Sequence, residues 1–579
     1  MKTIGFNDTT IQTIPNHKTS PWKQNYLRQA TIFGKHTFLP IDFGHAKNDN
    51  TLVVGSSGTG KTYSFVEPNV LQGNANYVIA DSKGTILSDI GASLRAMGYD
   101  IQVLNLLDLK HSNTYNPFNY FKDELEVTRF AEQIVTNDTA GETNRQDQNG
   151  PFWNKAATTL IQALIFFVQE FLPEKERNMA TVVKIFDLLD QSTKEINNVL
   201  LSLGIRDSDY CVNGKAADET IGYLLFEYAR LKNPNSLAVK NWDAVHNAQK
   251  ADSTWGGITG IVGASLSQYG LSEVQNLMAT NQINFKRMLQ PKSAIFILYD
   301  DANVTKNFIS NSFYTQLFSY LYDEAYKCED QKLPEKIRFY LDDFKNITIP
   351  HFADYLSTAR SRNISICMML QDESQLRSKY GDDAPSIIGN CSAYLLTGTI
   401  DLTMAKDASE RFDLAPREIR KMSEDNFLVD ISGYITKTIR YDYHTHPNYI
   451  DEKTNINSLT LTKSVSEIIN WKSLAYILTQ SPGVKMIKEP YWKKAERMVK
   501  TARQISDKKK DRKVRLAAVK RLRHDLEECT KDAKLDNLTK IYRNTVPDST
   551  PNVGYDNRKV SEFIIAFCKA YPIPKNYQN

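Results

Sequence analysis

The sequence predicts an α/β fold: a parallel sheet split by an inserted all-α domain and followed by a basic, mainly helical C-terminal region. Three observations carry this. Short apolar runs, Thr51–Val54, Tyr77–Ala80 and Ile101–Leu104, alternate with helical patterns, as strands of a parallel α/β sheet do. From about residue 120 to 285 the apolar spacing turns helical, as at Trp153, Ala157, Leu160, Ile161 and Leu164. The short runs then resume at Ala294–Leu298, Ile337–Leu341, Ile364–Leu370 and Ala393–Thr397, which suits strands buried on both faces.

Taken in order, residues 1–30 hold few apolar clusters and read as an N-terminal arm. Thr31–Phe43 mixes aromatic and β-branched residues with Gly and Pro, which predicts short strands. Residues 31–120 form the first part of the sheet domain, 121–285 the all-α insert and 286–450 the second part. Residues 451–579 form the C-terminal region. Within it, 485–523 hold 16 Lys and Arg against 4 Asp and Glu, a net of +12. The rest of the chain holds 55 against 63, a net of −8. Val514, Ala518, Leu522 and Leu526 recur at helical spacing, so part of this segment is an amphipathic basic helix. It is either a solvated face or a surface for DNA phosphates or anionic lipid; Tyr491 and Trp492 beside Lys493 and Lys494 suit stacking on bases or a membrane interface.

Composition removes several classes. At 41% hydrophobic and 24% charged, with 29 Tyr, 26 Phe and 6 Trp in 579 residues, the chain is globular and not disordered. The six cysteines, 211, 328, 367, 391, 529 and 568, include no CxxC pair, so neither a zinc ribbon nor a disulfide framework is expected. The first 30 residues lack an apolar core of a secretory signal. The longest apolar stretch, Leu160–Leu172, is interrupted by Gln and Glu and falls short of the ~20 residues of a membrane span. A membrane role would need a partner or a further segment.

Gly55-Ser56-Ser57-Gly58-Thr59-Gly60-Lys61-Thr62 matches the P-loop pattern in full, after one apolar run and before a helical one, Tyr63–Leu71. Its glycines let the backbone wrap and aim N–H groups at phosphate oxygens. Lys61 is placed to reach the β- and γ-phosphates of ATP, and the Thr62 hydroxyl to ligate Mg²⁺. A second acidic site is then required. Asp342 and Asp343 come directly after the run Ile337–Leu341: Asp342 would hold Mg²⁺ through water, and Asp343 would orient or deprotonate the attacking water. Asp300-Asp301, after Ala294–Leu298, competes with the same pattern. Asp342 is preferred because of its downstream residues: Arg360 and Arg362 stand ahead of a strand, and Gln371 at that strand's end. An arginine there can act on a neighbouring subunit's nucleotide, although such pairs ordinarily form surface ion pairs. Gln371 stands where a γ-phosphate sensor would.

These residues, in this order, resemble the VirD4/TraG-type coupling proteins of conjugation and type IV secretion. The likeness is carried by the P-loop, Asp81-Ser82-Lys83-Gly84, Tyr115-Asn116-Pro117-Phe118, Phe152-Trp153, Leu341–Ile347, Ala359–Ile366, Gln371–Leu376 and Tyr380-Gly381. It runs from about residue 30 to 450. The resemblance implies a RecA-like P-loop motor with an inserted all-α domain, and a hexameric ring with ATP at subunit interfaces. It implies DNA translocation toward a secretion channel after docking of a relaxase-bound, single-stranded substrate. It places the protein in the cytoplasm, recruited to the inner face of the cell membrane by the channel or a small membrane partner. Lys61 and Thr62 carry over as nucleotide ligands, Asp342 as the Mg²⁺ acid, Arg360 as the finger in trans and Gln371 as the sensor.

Two departures from the pattern matter. Such proteins usually begin with transmembrane helices, and this chain does not. They usually have Asp-Glu where this chain has Asp342-Asp343. The shorter carboxylate moves the base by about 1 Å, and misplacement on that scale can cost ~100-fold in rate. Lys345 adds positive charge nearby. An alternative role is therefore a docking receptor that uses ATP as a switch with little hydrolysis; another is a chromosome or repair translocase of the same superfamily. Asp81 and Lys83, at a strand's carboxyl end, are read as cofactor-binding, with a helix-capping turn as the alternative. His444 and His446 lack a third ligand and are read as structural. Phe166, Phe167 and Phe171 are read as core.

Overall fold

The computed structural model describes residues 29–40, 48–139, 150–203, 210–212, 219–246, 252–300, 304–456, 469, 471–482 and 484–486. The N-terminal arm up to residue 28 and nearly all of the basic segment 485–523 lie outside the described residues. The strands are β1 (Ala30–Gly34), β2 (Thr37–Pro40), β3 (Thr51–Val54), β4 (Asn76–Asp81), β5 (Asp100–Asn105), β6 (Tyr210–Val212), β7 (Ser293–Leu298), β8 (Ile337–Leu341), β9 (Ile364–Leu370), β10 (Ala393–Leu396), β11 (Asn426–Ile431), β12 (Tyr434–Ile439) and β13 (Val484–Met486).

The chain forms two compact units. The first, residues 1–158, 178–180 and 256–468, holds a nine-stranded sheet in the order β12-β11-β10-β3-β9-β8-β4-β7-β5. From β10 to β5 every neighbouring pair is parallel, and β11 and β12 add an antiparallel hairpin at one edge. β3, β4, β7, β8, β9 and β10 are buried along their whole length. That is why they read as continuous apolar runs and not as alternating ones.

The helix Thr85–Ala96 buries Ile86, Leu87, Ile90 and Leu94 in one core with Phe65, Val66, Val70 and Leu71 behind the P-loop and with Val53, Ile79, Tyr340 and Met369 of the sheet. Each such side chain contributes about 1.5–3 kcal/mol, so Leu94→Ala should cost about 2–5 kcal/mol. On the helix Asn307–Lys327, Phe318 stacks on Phe339 of β8 with ring centres 4.4 Å apart.

The hairpin β11–β12 is a feature that the sequence pattern did not predict. Ser432 and Gly433 join its strands with φ of +51° and +92°, the two-residue turn with both central residues left-handed. β12 is mostly exposed, so no continuous apolar run marked it; alternation around Ser-Gly was the available signal.

The second unit comprises residues 159–177, 181–255 and 469 onward. Its described regular elements are helices apart from the antiparallel pair β6–β13. Phe167 packs on Phe226, and Phe226 lies parallel to Trp242 at 4.2 Å; Phe166 and Phe167 are core, and the half-buried Phe171 lies against Phe167. Arg230 grips Asp243 through Nη1 and Nη2 at 2.9 and 2.6 Å, joining the helices Ile221–Lys232 and Leu237–His246. Among the described residues no helix is long and apolar enough to cross a membrane.

Candidate functional site

The P-loop leaves the carboxyl end of β3, flanked by parallel strands on both sides. Its N-terminal end is tied to both neighbours: Gly55 N–H donates to Leu370 O of β9 at 3.2 Å, and Ser56 N–H to Gly398 O beyond β10 at 3.1 Å. Gly58 and Gly60 have φ of +81° and +82°, which a side chain would strain. A Cβ on Gly55 would come 2.0 Å from Thr397 Oγ1, so backbone and wall meet there directly. Thr59 Oγ1 lies 2.6 Å from Thr397 Oγ1, and Ser56 Oγ donates to Thr399 Oγ1 at 3.5 Å. Thr397-Gly398-Thr399 is thus the second wall of the loop, and no local motif in the sequence announces it.

Behind the loop the chain is helical from Thr62 to Leu71, its first turn wound wide (π) up to Val66. Pro68 has no N–H to close an i→i−4 bond onto Ser64, which interrupts the regular ladder there. Lys61 curls into the loop, and its Nζ donates to Gly55 O at 2.6 Å and Ser56 O at 3.1 Å. Burial holds the Lys61 amine below the usual lysine range, opposed by the charges of Asp342 and Asp343.

Strand order places the two acid pairs at different distances from the loop. β8 is two strands from β3 and β7 is four; at about 4.8 Å per strand that is ~10 against ~19 Å. Asp342, at the end of β8, receives a hydrogen bond from Thr62 Oγ1 at 2.6 Å. Asp300 lies beyond β7, on the far side of β4, and Asp301 lies outside the described residues. Asp342 is 6% exposed. Burial pushes its carboxyl up, the Thr62 bond pulls it down, and Asp343 pushes it up again. Tyr299 donates its hydroxyl to the Asp342 carbonyl.

Asp343 sits with φ +44°, in the left-handed region, where Asp is several-fold better tolerated than most residues. Its N–H donates to Asp342 Oδ1 at 3.0 Å. The turn below is braced by the helix Ser374–Tyr380: Lys379 Nζ donates to Lys345 O at 2.5 Å, and the Tyr380 ring stacks on Phe344 at 5.8 Å. Burial lowers the Lys379 amine to about 7. Gln371 comes after β9, the strand between β3 and β8, and its N–H donates to Gln375 Oε1 at 3.2 Å. Topology therefore brings Lys61, Thr62, Asp342, Asp343 and Gln371 to one end of three adjacent strands.

The two arginines part company. Both precede β9, at the opposite end of the sheet from the P-loop. Arg362 is buried, donates through Nη1 to Gln331 Oε1 at 2.7 Å and lies over the Tyr326 ring. Arg360 is exposed. With β9 seven residues long and ~3.3 Å per residue, Arg360 stands more than 20 Å from its own P-loop.

The remaining motif residues divide by burial. Asp81 is 1% exposed; its Oδ2 accepts from Leu87 N–H at 2.9 Å and its Oδ1 from Lys83 N–H at 3.4 Å. Its carboxylate thus caps the start of the helix Thr85–Ala96. Burial raises it to about 7, against the pull of those bonds. Lys83 is exposed. Tyr115 is buried and donates to Gln316, while Asn116 Oδ1 caps Phe118 N–H at 3.1 Å, so that motif is architectural. His446 is buried against Gln72 Oε1 at 3.2 Å, whereas His444 Nδ1 lies 3.0 Å from exposed Asp442; the two histidines serve different partners. Glu67 went unremarked in the sequence. It is 3% exposed on the P-loop helix, and burial, then Asp89 and Asp81, raise it to about 8.

The donor set fits a Mg²⁺–nucleoside triphosphate: a glycine cradle open at Gly58, a buried amine inside it, and a hydroxyl already paired with a carboxylate. Fold and site together define an α/β P-loop nucleotide-binding protein.

The chain belongs to the type IV secretory system conjugative DNA transfer family, whose model matches residues 8–426. No curated protein matches it. Among solved structures it is similar to the bacterial conjugative coupling protein TrwBdeltaN70, unbound, at 15% identity over 75% of this chain and 95% of that one, TM-score 0.47. TrwB in complex with the ATP analogue ADPNP matches at 15% identity, 75% and 95% coverage and TM-score 0.46. VirB4 of Thermoanaerobacter pseudethanolicus matches at 12% identity, 71% and 96% coverage and TM-score 0.38. At these scores the shared shape carries no argument about the site.

Proposed function

We propose that the protein is an ATP-dependent DNA translocase that couples a relaxase-bound DNA substrate to a type IV secretion channel. The observation that carries this reading is the Thr62–Asp342 hydrogen bond, a P-loop hydroxyl joined to the acid of a second motif, in a member of a conjugative DNA transfer family. Gly55–Gly60 would cradle the phosphates, Lys61 would neutralise the β/γ oxygens, and Thr62 with Asp342 would hold Mg²⁺. That ion supplies charge neutralisation and Lewis acidity when bound. Asp343 accepts the proton of the attacking water, and Gln371 senses the γ-phosphate. Arg360 acts on the nucleotide of an adjacent subunit in a hexamer, since its own P-loop is out of reach. Asp81 positions the neighbouring helix, with Lys83 left as the solvent-facing cofactor candidate of that motif. Residues 31–120 and 286–450 serve as the motor and 121–285 as the insert that reads the cargo, with the whole recruited to the inner membrane face.

The test is ATP turnover by the purified chain with and without single-stranded DNA, beside Lys61→Ala. DNA-stimulated turnover that Lys61→Ala abolishes supports the translocase. A folded Lys61→Ala protein with normal turnover would overturn the site. The short Asp343 side chain in its left-handed turn favours one second reading, an ATP-switched docking receptor. ATP binding without turnover, with DNA and under conditions that allow assembly, would establish it.

A further inference from the structure

Tyr63 comes directly after Thr62 and is bonded to a segment nearly 400 residues away. Its hydroxyl donates to Asp442 Oδ1 at 2.6 Å and lies 3.1 Å from His444 Nδ1. His444 Nδ1 is 3.0 Å from the same Asp442 oxygen, which also accepts the His444 N–H at 3.0 Å. All the bonds of this cluster fall on Oδ1, leaving Asp442 Oδ2 outside it. Side chains of His444 and Asp442 are 47% and 51% exposed. One side of the imidazole is covered: the buried Tyr443 ring stacks against it at 4.1 Å and 29°. Tyr449 meets it edge-on at 5.0 Å.

The segment is clamped to the C-terminal end of the P-loop helix and to the helix Thr85–Ala96. His446 Nε2 lies 3.2 Å from Gln72 Oε1, Asn448 Nδ2 donates to Leu71 O at 2.8 Å, and Ile450 N–H donates to Ser93 Oγ at 2.9 Å. The Tyr63 bonds then place a half-exposed, back-supported aromatic ring beside the first turn after the phosphate loop. The two ends of the loop differ. Thr62 turns its hydroxyl to Asp342, which marks the metal and γ-phosphate side. The Cα of Tyr63 is only ~3.8 Å from that of Thr62, but its side chain leaves the helix about a quarter turn away. The N–H groups of this first turn face the α- and β-phosphates, so the ribose and base continue toward Tyr63.

We propose that Tyr63, Asp442 and His444 form the base subsite of the nucleotide, with a purine stacked on the His444 imidazole and an exocyclic amino group donating to Asp442 Oδ2. This rests on the P-loop being the nucleotide site. It gives a ligand role to a half-exposed polar cluster at the edge of the core behind the P-loop, where Tyr443 is buried and Tyr449 packs against it.

The experiment is calorimetric binding of two probes, ATP and inorganic tripolyphosphate, to the full chain and three variants. His444→Ala should weaken ATP about tenfold or more, the scale of one lost base-stacking contact, and leave tripolyphosphate unchanged. His444→Phe, which keeps a stacking ring, should stay within a few-fold of the parent for ATP. Lys61→Ala should weaken both probes together. Unchanged ATP affinity in His444→Ala overturns the proposal, as does equal loss of both probes in His444→Ala and His444→Phe, which would make His444 a brace for the loop. Parental affinity for both probes in Lys61→Ala overturns the P-loop reading itself, a result separable from either His444 outcome.

Discussion

Thr62 and Asp342, 280 residues apart, share a 2.6 Å hydrogen bond across the carboxyl ends of β3, β9 and β8. The bond puts a hydroxyl and a carboxylate at one point and ties the loop to the end of β8. Asp342→Asn keeps the shape and removes the charge. ATP turnover should fall more than ~100-fold, the range for a lost electrostatic stabiliser, with a melting temperature within a few degrees of the parent. Turnover within threefold of the parent would remove Asp342 from the site.

Asp343 holds a left-handed backbone, at φ +44°. Asp343→Asn preserves that conformation and removes the proposed base, so kcat should drop about 10²–10⁴-fold with little change in KM. Asp343→Glu restores the longer side chain of the Asp-Glu pattern, but in a backbone region less suited to it; it should reduce stability by about 1 kcal/mol in chemical denaturation.

Arg360 and Arg362 should separate cleanly. Arg362→Ala removes the bond to Gln331 and the cover over Tyr326 and should cost about 1–3 kcal/mol in urea titration. Arg360→Ala should leave stability unchanged and remove the part of ATP turnover that rises with protein concentration. A concentration-dependent rate that survives Arg360→Ala would exclude it as the finger in trans.

Glu67 carries a pH signature. Its folded carboxyl is raised to about 8, so between about pH 4.5 and 8 the folded state binds a proton that the unfolded state has released. Stability from this group is present below that window and is lost as pH rises through it. Glu67→Gln is neutral at every pH. Its stability relative to the parent should grow by about 1 kcal/mol or more between pH 5 and 8, read as diverging unfolding midpoints. A constant difference would place Glu67 in an ionised, paired state.

Much of the fold was legible because its demands are local. Buried parallel strands must be apolar on both faces, so β3, β4, β7, β8, β9 and β10 appear as uninterrupted runs. β12 escaped because an edge strand half in water has no such run. The P-loop was legible because Gly58 and Gly60 must take positive φ, a need that only particular residues meet.

By itself the sequence determined the loop, its lysine and hydroxyl, the strands that carry them and the two rival acid pairs. Tertiary structure decided which acid lies beside the loop. Asp300 and Asp342 are equivalent as text, and only the order β3-β9-β8-β4-β7 puts one ~10 Å from the loop and the other ~19 Å away. The same holds for Arg360 against Arg362, for the Thr397–Thr399 wall, and for Tyr63 meeting Asp442 and His444. A residue's chemistry is written in its own letter, but its neighbours across a sheet are set by crossovers that no local pattern encodes.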